Sequence, residues 1–216
     1  LSLSNADQTE VLIFSDDDHL TRFAVNAIHQ NVSETDVVVR VRSVFGKKVG
    51  VASGNDLSDD ALEKLVASAE TVARFQQDNE EFESLPSPHP IKDVDGYVAA
   101  TASCTPEARA QGVAAICALS QKHDLEAAGA FSTTVEEIMA ANSLGVSAYH
   151  CGTVAHLVTV IMSEDSSGYA SATAMDVSEI DPEAVGRVAV NKALRSRHPT
   201  EIKPGAYTVI LEEEAV

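Results

Sequence analysis

Between residues 37 and 53 the chain alternates with period two. Val37, Val39 and Val41 interleave with Val38, Arg40 and Arg42, the Phe45-Gly46-Lys47-Lys48 stretch supplies turn chemistry, and Val49-Gly50-Val51-Ala52 returns. Successive strand side chains point to opposite faces, so this pattern specifies an antiparallel hairpin with at least one covered face. It cannot sit on a helix. Whatever else the chain does, it must build a sheet and lay helices on it.

Three helices are signalled by their starts. Ser58 precedes Asp59 and Asp60, acidic residues that suit the positive end of a helix. Leu62, Leu65, Val66, Ala69, Val72 and Ala73 then recur at helical spacing, predicting a helix to about residue 77. Thr105-Pro106-Glu107 and Asp181-Pro182-Glu183 each place a capping side chain, a proline at the first helical position and an acid in the first turn. These helices end near His123 and Arg197. Elsewhere the signals are for strands. Residues 11–14 read as a short strand ended by a turn at Ser15-Asp16-Asp17-Asp18, and residues 20–32 fit strand or helix, with flanking strands favouring β. Residues 125–134, 135–141, 146–149, 153–164, 169–175 and 207–211 read as strands, with turns at Asn142-Ser143-Leu144-Gly145 and Ser166-Ser167-Gly168. The fold class expected is α+β: largely antiparallel sheets with packed helices in two subdomains. Residues 1–80 form a strand–hairpin–helix unit, residues 81–104 a proline-rich linker containing Pro86, Pro88 and Pro90, and residues 105–216 a helix-and-meander unit.

Charge narrows the function. Fifteen basic against thirty-three acidic residues give −18, which disfavours direct contact with nucleic acid and with anionic membrane surfaces. No apolar run reaches the ~18 residues of a membrane span. Cys104, Cys117 and Cys151 have neither disulfide nor zinc spacing and fit a reducing, cytoplasmic setting. Nucleophile-elbow, P-loop, dinucleotide-binding and HExxH motifs are absent. The Asp16–Asp18 run lacks the glycine and distal Glu of a calcium loop. His150 and His156, six apart on a strand, would share a face but stand roughly 20 Å apart. Glu136 and Glu137 would point to opposite faces and cannot act as an acid–base pair. Glu212, Glu213 and Glu214 read as a solvated end. No catalytic, cofactor-binding or metal-binding residue is assigned on this basis.

Five segments in order carry a resemblance. Leu20-Thr21-Arg22-Phe23-Ala24-Val25-Asn26-Ala27-Ile28-His29-Gln30 resembles the TRFANNxIHQ segment of the TldD/PmbA family, long described as modulators of DNA gyrase. Gly46 through Ser53 resembles its GrrvGxAs hairpin, and Ala141-Asn142-Ser143-Leu144-Gly145 its aNSxG turn. Residues 181–194 are similar to its idpeavgxxAaxkAl helix. Lys203-Pro204-Gly205-Ala206-Tyr207-Thr208-Val209-Ile210-Leu211 is similar to its PGxYxVvL strand. The resemblance implies an α/β N-terminal half of an intracellular metallopeptidase, or of its non-catalytic partner subunit, acting on unfolded or precursor peptides as a homodimer or as a heterodimer with a paralogue. The family's HExxxH follows the PGxYxVvL strand, beyond Val216. No metal ligand carries over, zinc is expected only in the missing half, and the Glu-rich end is more similar to the PmbA branch. The competing expectation is a stand-alone protein-interaction module, a toxin–antitoxin or gyrase-linked adaptor, without hydrolytic activity.

Overall fold

A computed structural model describes residues 1–212 and 215. Its frame is one six-stranded sheet in the order β3-β2-β1-β4-β5-β6. The strands are β1 (Gln8–Ala24), β2 (Ala27–Phe45), β3 (Lys48–Gly54), β4 (Glu126–Asn142), β5 (Ser147–Met162) and β6 (Ser167–Ala174). Every neighbouring pair is antiparallel. The fold class is therefore α+β, as the sequence indicates. The first hairpins and the later meander meet at the β1–β4 pairing, from Glu10↔Asn142 to Phe23↔Gly129, so both segments share one sheet.

Helices α1 (Asp59–Phe75), α2 (Ala99–Ala102), α3 (Pro106–Gln121) and α4 (Pro182–Arg195) cover one face. Odd-numbered residues of β1, β2, β4 and β5 point at them. Val39 and Val41 pack with Val66 and Ala69 of α1. Phe23, Phe131, Leu157 and Ile161 pack with Val113 and Ile116 of α3 and Ala189 and Val190 of α4. Helix and edge strand approach closely at two glycines. A Cβ on Gly50 in β3 would lie 2.3 Å from the Ala69 carbonyl oxygen, and one on Gly168 in β6 would lie 2.0 Å from that of Ala189.

The caps follow the local chemistry. The Thr105 hydroxyl accepts the Ala108 N–H, and the Asp181 carboxylate accepts those of Glu183 and Ala184. Ser58 stands at the first cap position but its side chain makes no cap bond; instead its own N–H donates to Asp56. The 46–47 turn joins β2 to β3, with Gly46 left-handed at φ 60°.

Several boundaries differ from the expected ones. β1 does not stop at residue 14 but runs straight through Asp16–Asp18 to Ala24. Asp16 and Asp18 lie on the face no helix covers, where water solvates them, so the ladder continues on both sides. Residues 20–32 are two strands around a two-residue turn at Val25 and Asn26, both left-handed at φ 50° and 58°, the backbone a tight hairpin requires. The predicted breaks in β4 and β5 are absent because unbroken pairing carries each through its weak positions. The turn before β6 is at residues 163–166, where the Ser163 N–H meets the Ser166 carbonyl, and Ser167 and Gly168 are already strand. Residues 207–211 pair with no described strand and are exposed; a β conformation needs a ladder partner, and the described residues supply none.

Residues 76–98 cross between α1 and α2 without a helix or strand, and α2 at Ala99–Ala102 falls inside the 81–104 stretch expected to be a linker. The crossing is pinned rather than loose: Leu85 is buried, its N–H donates to Gln8 Oε1, and Asn142 Nδ2 donates to the Pro86 carbonyl.

Candidate functional site

The polar residues singled out in the sequence are dispersed by the sheet. On the uncovered face, Asp16 stands directly opposite Asp36 on one side and Glu136 on the other, and Asp18 opposite Glu34. Like charges directly across a ladder repel. Partial burial, then the charges of Asp18 and Asp36, push the Asp16 carboxyl above its usual value. The Thr134 hydroxyl donates to Asp18 at 2.5 Å. Asp17 points the other way, toward the helices. It accepts from Thr35 and lies 3.5 Å from His19 Nε2, while His19 Nδ1 meets the Ser33 hydroxyl at 2.9 Å.

Glu136 and Glu137 do lie on opposite faces. Glu137, on the helix side, accepts a hydrogen bond from the Tyr149 hydroxyl. Chiefly for that reason the phenol is pushed up to about 12. His150 and His156 share the uncovered face, each with its own surroundings. His156 Nδ1 meets the Thr173 hydroxyl at 2.8 Å, and His150 lies against the crossing segment at Gly96. Glu212 pairs with Lys192 of α4 at 2.5 Å; Glu213 and Glu214 lie outside the described residues. All three cysteines are free. Cys117 is buried, and burial raises its thiol pKa.

Among the described residues, no group of three or more His, Cys, Asp and Glu could hold a metal ion. No helix among the described residues is long and apolar enough to cross a membrane.

Two features escaped the sequence reading. The first is Arg109 on α3, 1% exposed, which donates from Nε to Thr21, and from Nη1 to the Cys104 carbonyl and Thr133. Its partners are all neutral. Its spacing to Val113, Ile116 and Cys117 puts it on the buried stripe of the helix, which was the available signal. The second is a groove of about 890 Å³ between residues 91–97 and the first residues of β5. Residues 91–97 carry no regular pattern, so nothing local announces it. The crossing meets β5 at an isolated parallel bridge, Gly96↔Gly152, in which the Thr153 N–H donates to the Gly96 carbonyl at 2.9 Å, and the Val98 N–H donates to the Thr153 hydroxyl beside it.

The comparisons with known proteins agree with this architecture. A family model described as PmbA/TldA metallopeptidase domain 1 matches residues 10–73, and one described as PmbA/TldA metallopeptidase central domain matches residues 104–197. No curated protein sequence matches the chain. Among solved structures, TldE from Thermococcus kodakarensis superposes with a TM-score of 0.80 at 18% identity, over 88% of this chain and 44% of that one. Two proteins described as proposed modulators of DNA gyrase are also similar. The one from Thermotoga maritima gives a TM-score of 0.77 at 13% identity, over 92% of this chain and 46% of its own. The one from Bacteroides thetaiotaomicron gives 0.77 at 14% identity, over 92% and 48%. At these identities the structures show the fold alone. The chain spans less than half the length of each. With two consecutive domains of one family matched in order, the chain belongs to the PmbA/TldD family and carries the first and central domains of its N-terminal half.

Proposed function

We propose that this chain is the N-terminal half of a TldD/PmbA-type cytosolic metallopeptidase, or of its non-catalytic partner subunit, that acts on unfolded or precursor peptides as a homodimer or as a heterodimer with a paralogue. The observation that carries the reading is the pair of metallopeptidase-domain matches, at residues 10–73 and 104–197, borne on one continuous sheet. In this reading the N-terminal half positions peptide and partner, and hydrolytic chemistry belongs to the remainder of a longer protein. Direct action on DNA fits poorly, because a chain with a net charge of −18 repels a phosphate backbone.

The test uses the full-length protein. It is purified alone and together with any family paralogue from its source, and metal content and cleavage of an unfolded polypeptide are measured. Cleavage by either preparation, lost on chelation and restored by metal, supports the proposal. Stable capture of a protein partner with no cleavage in any combination would favour the stand-alone interaction module.

A further inference from the structure

We infer that the first half of β5 is an open strand edge that binds an extended, basic peptide by main-chain pairing, in the groove bounded by residues 91–97. The inference deepens the peptide-handling reading above and rests on it for the choice of ligand class.

The argument begins with unequal strand lengths. β5 runs from Ser147 to Met162, whereas β6 pairs only with Ala155 through Met162. Among the described residues, the outer edge of the first half of β5 therefore has no ladder neighbour beyond the bridge at Gly152. That bridge fixes the direction of the backbone groups. The Thr153 N–H points outward, to Gly96. Strand geometry has period two, so the N–H groups of Ser147, Tyr149 and Cys151 point outward as well, and the even-numbered residues bond β4. None of these three N–H groups, nor the carbonyls of Ser147 and Tyr149, has a hydrogen-bond partner among the described residues. Five consecutive residues give about 17 Å of free edge. This is the arrangement by which an added strand gains affinity from its main chain, with side-chain surroundings setting preference.

The surroundings state a preference. Asp93 and Asp95 line the groove, and Glu137 is held beside it by Tyr149; against them stand Lys92 and His150. The balance is acidic. Ile91, Val94, Tyr97 and Tyr149 are exposed along the same groove and offer apolar contact to alternate side chains. The outer sides of β3 and β6 and the stretch of β2 before Val39 also lack a ladder partner among the described residues. The β2 stretch carries Glu34 and Asp36, and charges on an edge discourage strand addition.

The test is peptide binding to the 216-residue chain, followed by fluorescence anisotropy and amide hydrogen exchange. The probes are an unstructured Lys/Thr-repeat peptide and its Glu/Thr counterpart. The Lys/Thr peptide should bind more tightly and slow exchange at Tyr149 and Cys151. Tyr149→Pro removes an outward N–H without breaking the β4 ladder, a change edge strands tolerate. It should weaken binding about tenfold, the scale of one lost hydrogen bond with its neighbour disturbed. Tyr149→Phe, which keeps the N–H but releases Glu137, should weaken binding less than Tyr149→Pro, and Ser147→Pro serves as a second edge variant should Tyr149→Pro fail to fold. No binding, binding without protection at Tyr149 and Cys151, or binding indifferent to both proline variants would overturn the inference. A full-length protein that cleaves peptides while this edge stays unprotected overturns the edge site alone. An edge that binds as described in a full-length protein inactive on every peptide, alone or with its paralogue, overturns the peptidase reading alone.

Discussion

Arg109 donates from Nε to the Thr21 hydroxyl at 3.2 Å, across 88 residues of sequence. Through this contact and its bond to Thr133, α3 is tied to β1 and β4, the two strands that join the two matched family domains. A buried guanidinium among neutral acceptors is costly by itself, and removing it strands the acceptors as well. Arg109→Ala should lower stability by about 3 kcal/mol, read as a shift in the urea midpoint. Arg109→Met fills the space without a charge and should cost clearly less. Equal losses in both variants would show that filling the space contributes nothing beyond the lost hydrogen bonds.

Val25 is left-handed at φ 50° and 67% exposed. A β-branched residue there is strained and touches little that could compensate. Its neighbour Asn26 suits the turn, and its side chain bonds the Leu125 carbonyl and the Ala127 N–H. Val25→Asn should raise stability by about 1 kcal/mol, seen as a higher Tm. Asn26→Ala should lower it. An unchanged or lower Tm for Val25→Asn would mean the strain is relieved elsewhere.

Gly50 and Gly168 let α1 and α4 sit on opposite edge strands. A methyl group at either position meets helix backbone, which cannot swing aside as a side chain can. Gly50→Ala and Gly168→Ala should each destabilise by about 2 kcal/mol or more. The two effects should add, because the sites lie at opposite edges of the sheet. Thermal melts of the single and double variants check both statements.

The Asp16 carboxyl is raised in the folded state, chiefly by burial and then by Asp18 and Asp36. For an acid raised on folding, the folded state binds the proton more tightly. Its charged form therefore penalises folding above the folded pKa, and that penalty is relieved as pH falls through it. Asp16→Asn should raise Tm at pH 7, and the difference should shrink toward zero below about pH 4, where both forms are neutral. Asp56, Asp165 and Asp176 are lowered, each first by a backbone N–H bond. Their contributions run the opposite way and are lost on acidification. A benefit from Asp16→Asn that persisted at low pH would place its origin in packing rather than charge.

Legibility in the sequence followed the range of the signal. The 37–53 hairpin and the helices at Thr105 and Asp181 were readable because cap, proline and alternation act within a few residues. β1 beyond Phe14 was not, because three consecutive aspartates look like a turn until strands flank them on both sides. Residues 207–211 have strand chemistry but no described partner, and pairing is a property of the neighbour. The free edge of β5 depends on β6 being shorter, a comparison between segments that local pattern does not make. Arg109 was legible in principle, from its place on an otherwise apolar helical stripe.

The central claim is that this fold serves a peptidase restricted to unfolded chains. The most direct measurement presents one polypeptide, folded and then unfolded by removal of its disulfides, to the full-length protein with its paralogue, and follows cleavage by mass spectrometry with and without a chelator. The account predicts cleavage of the unfolded form only, abolished by the chelator. Cleavage of the folded form at a comparable rate, or cleavage of neither, would contradict it.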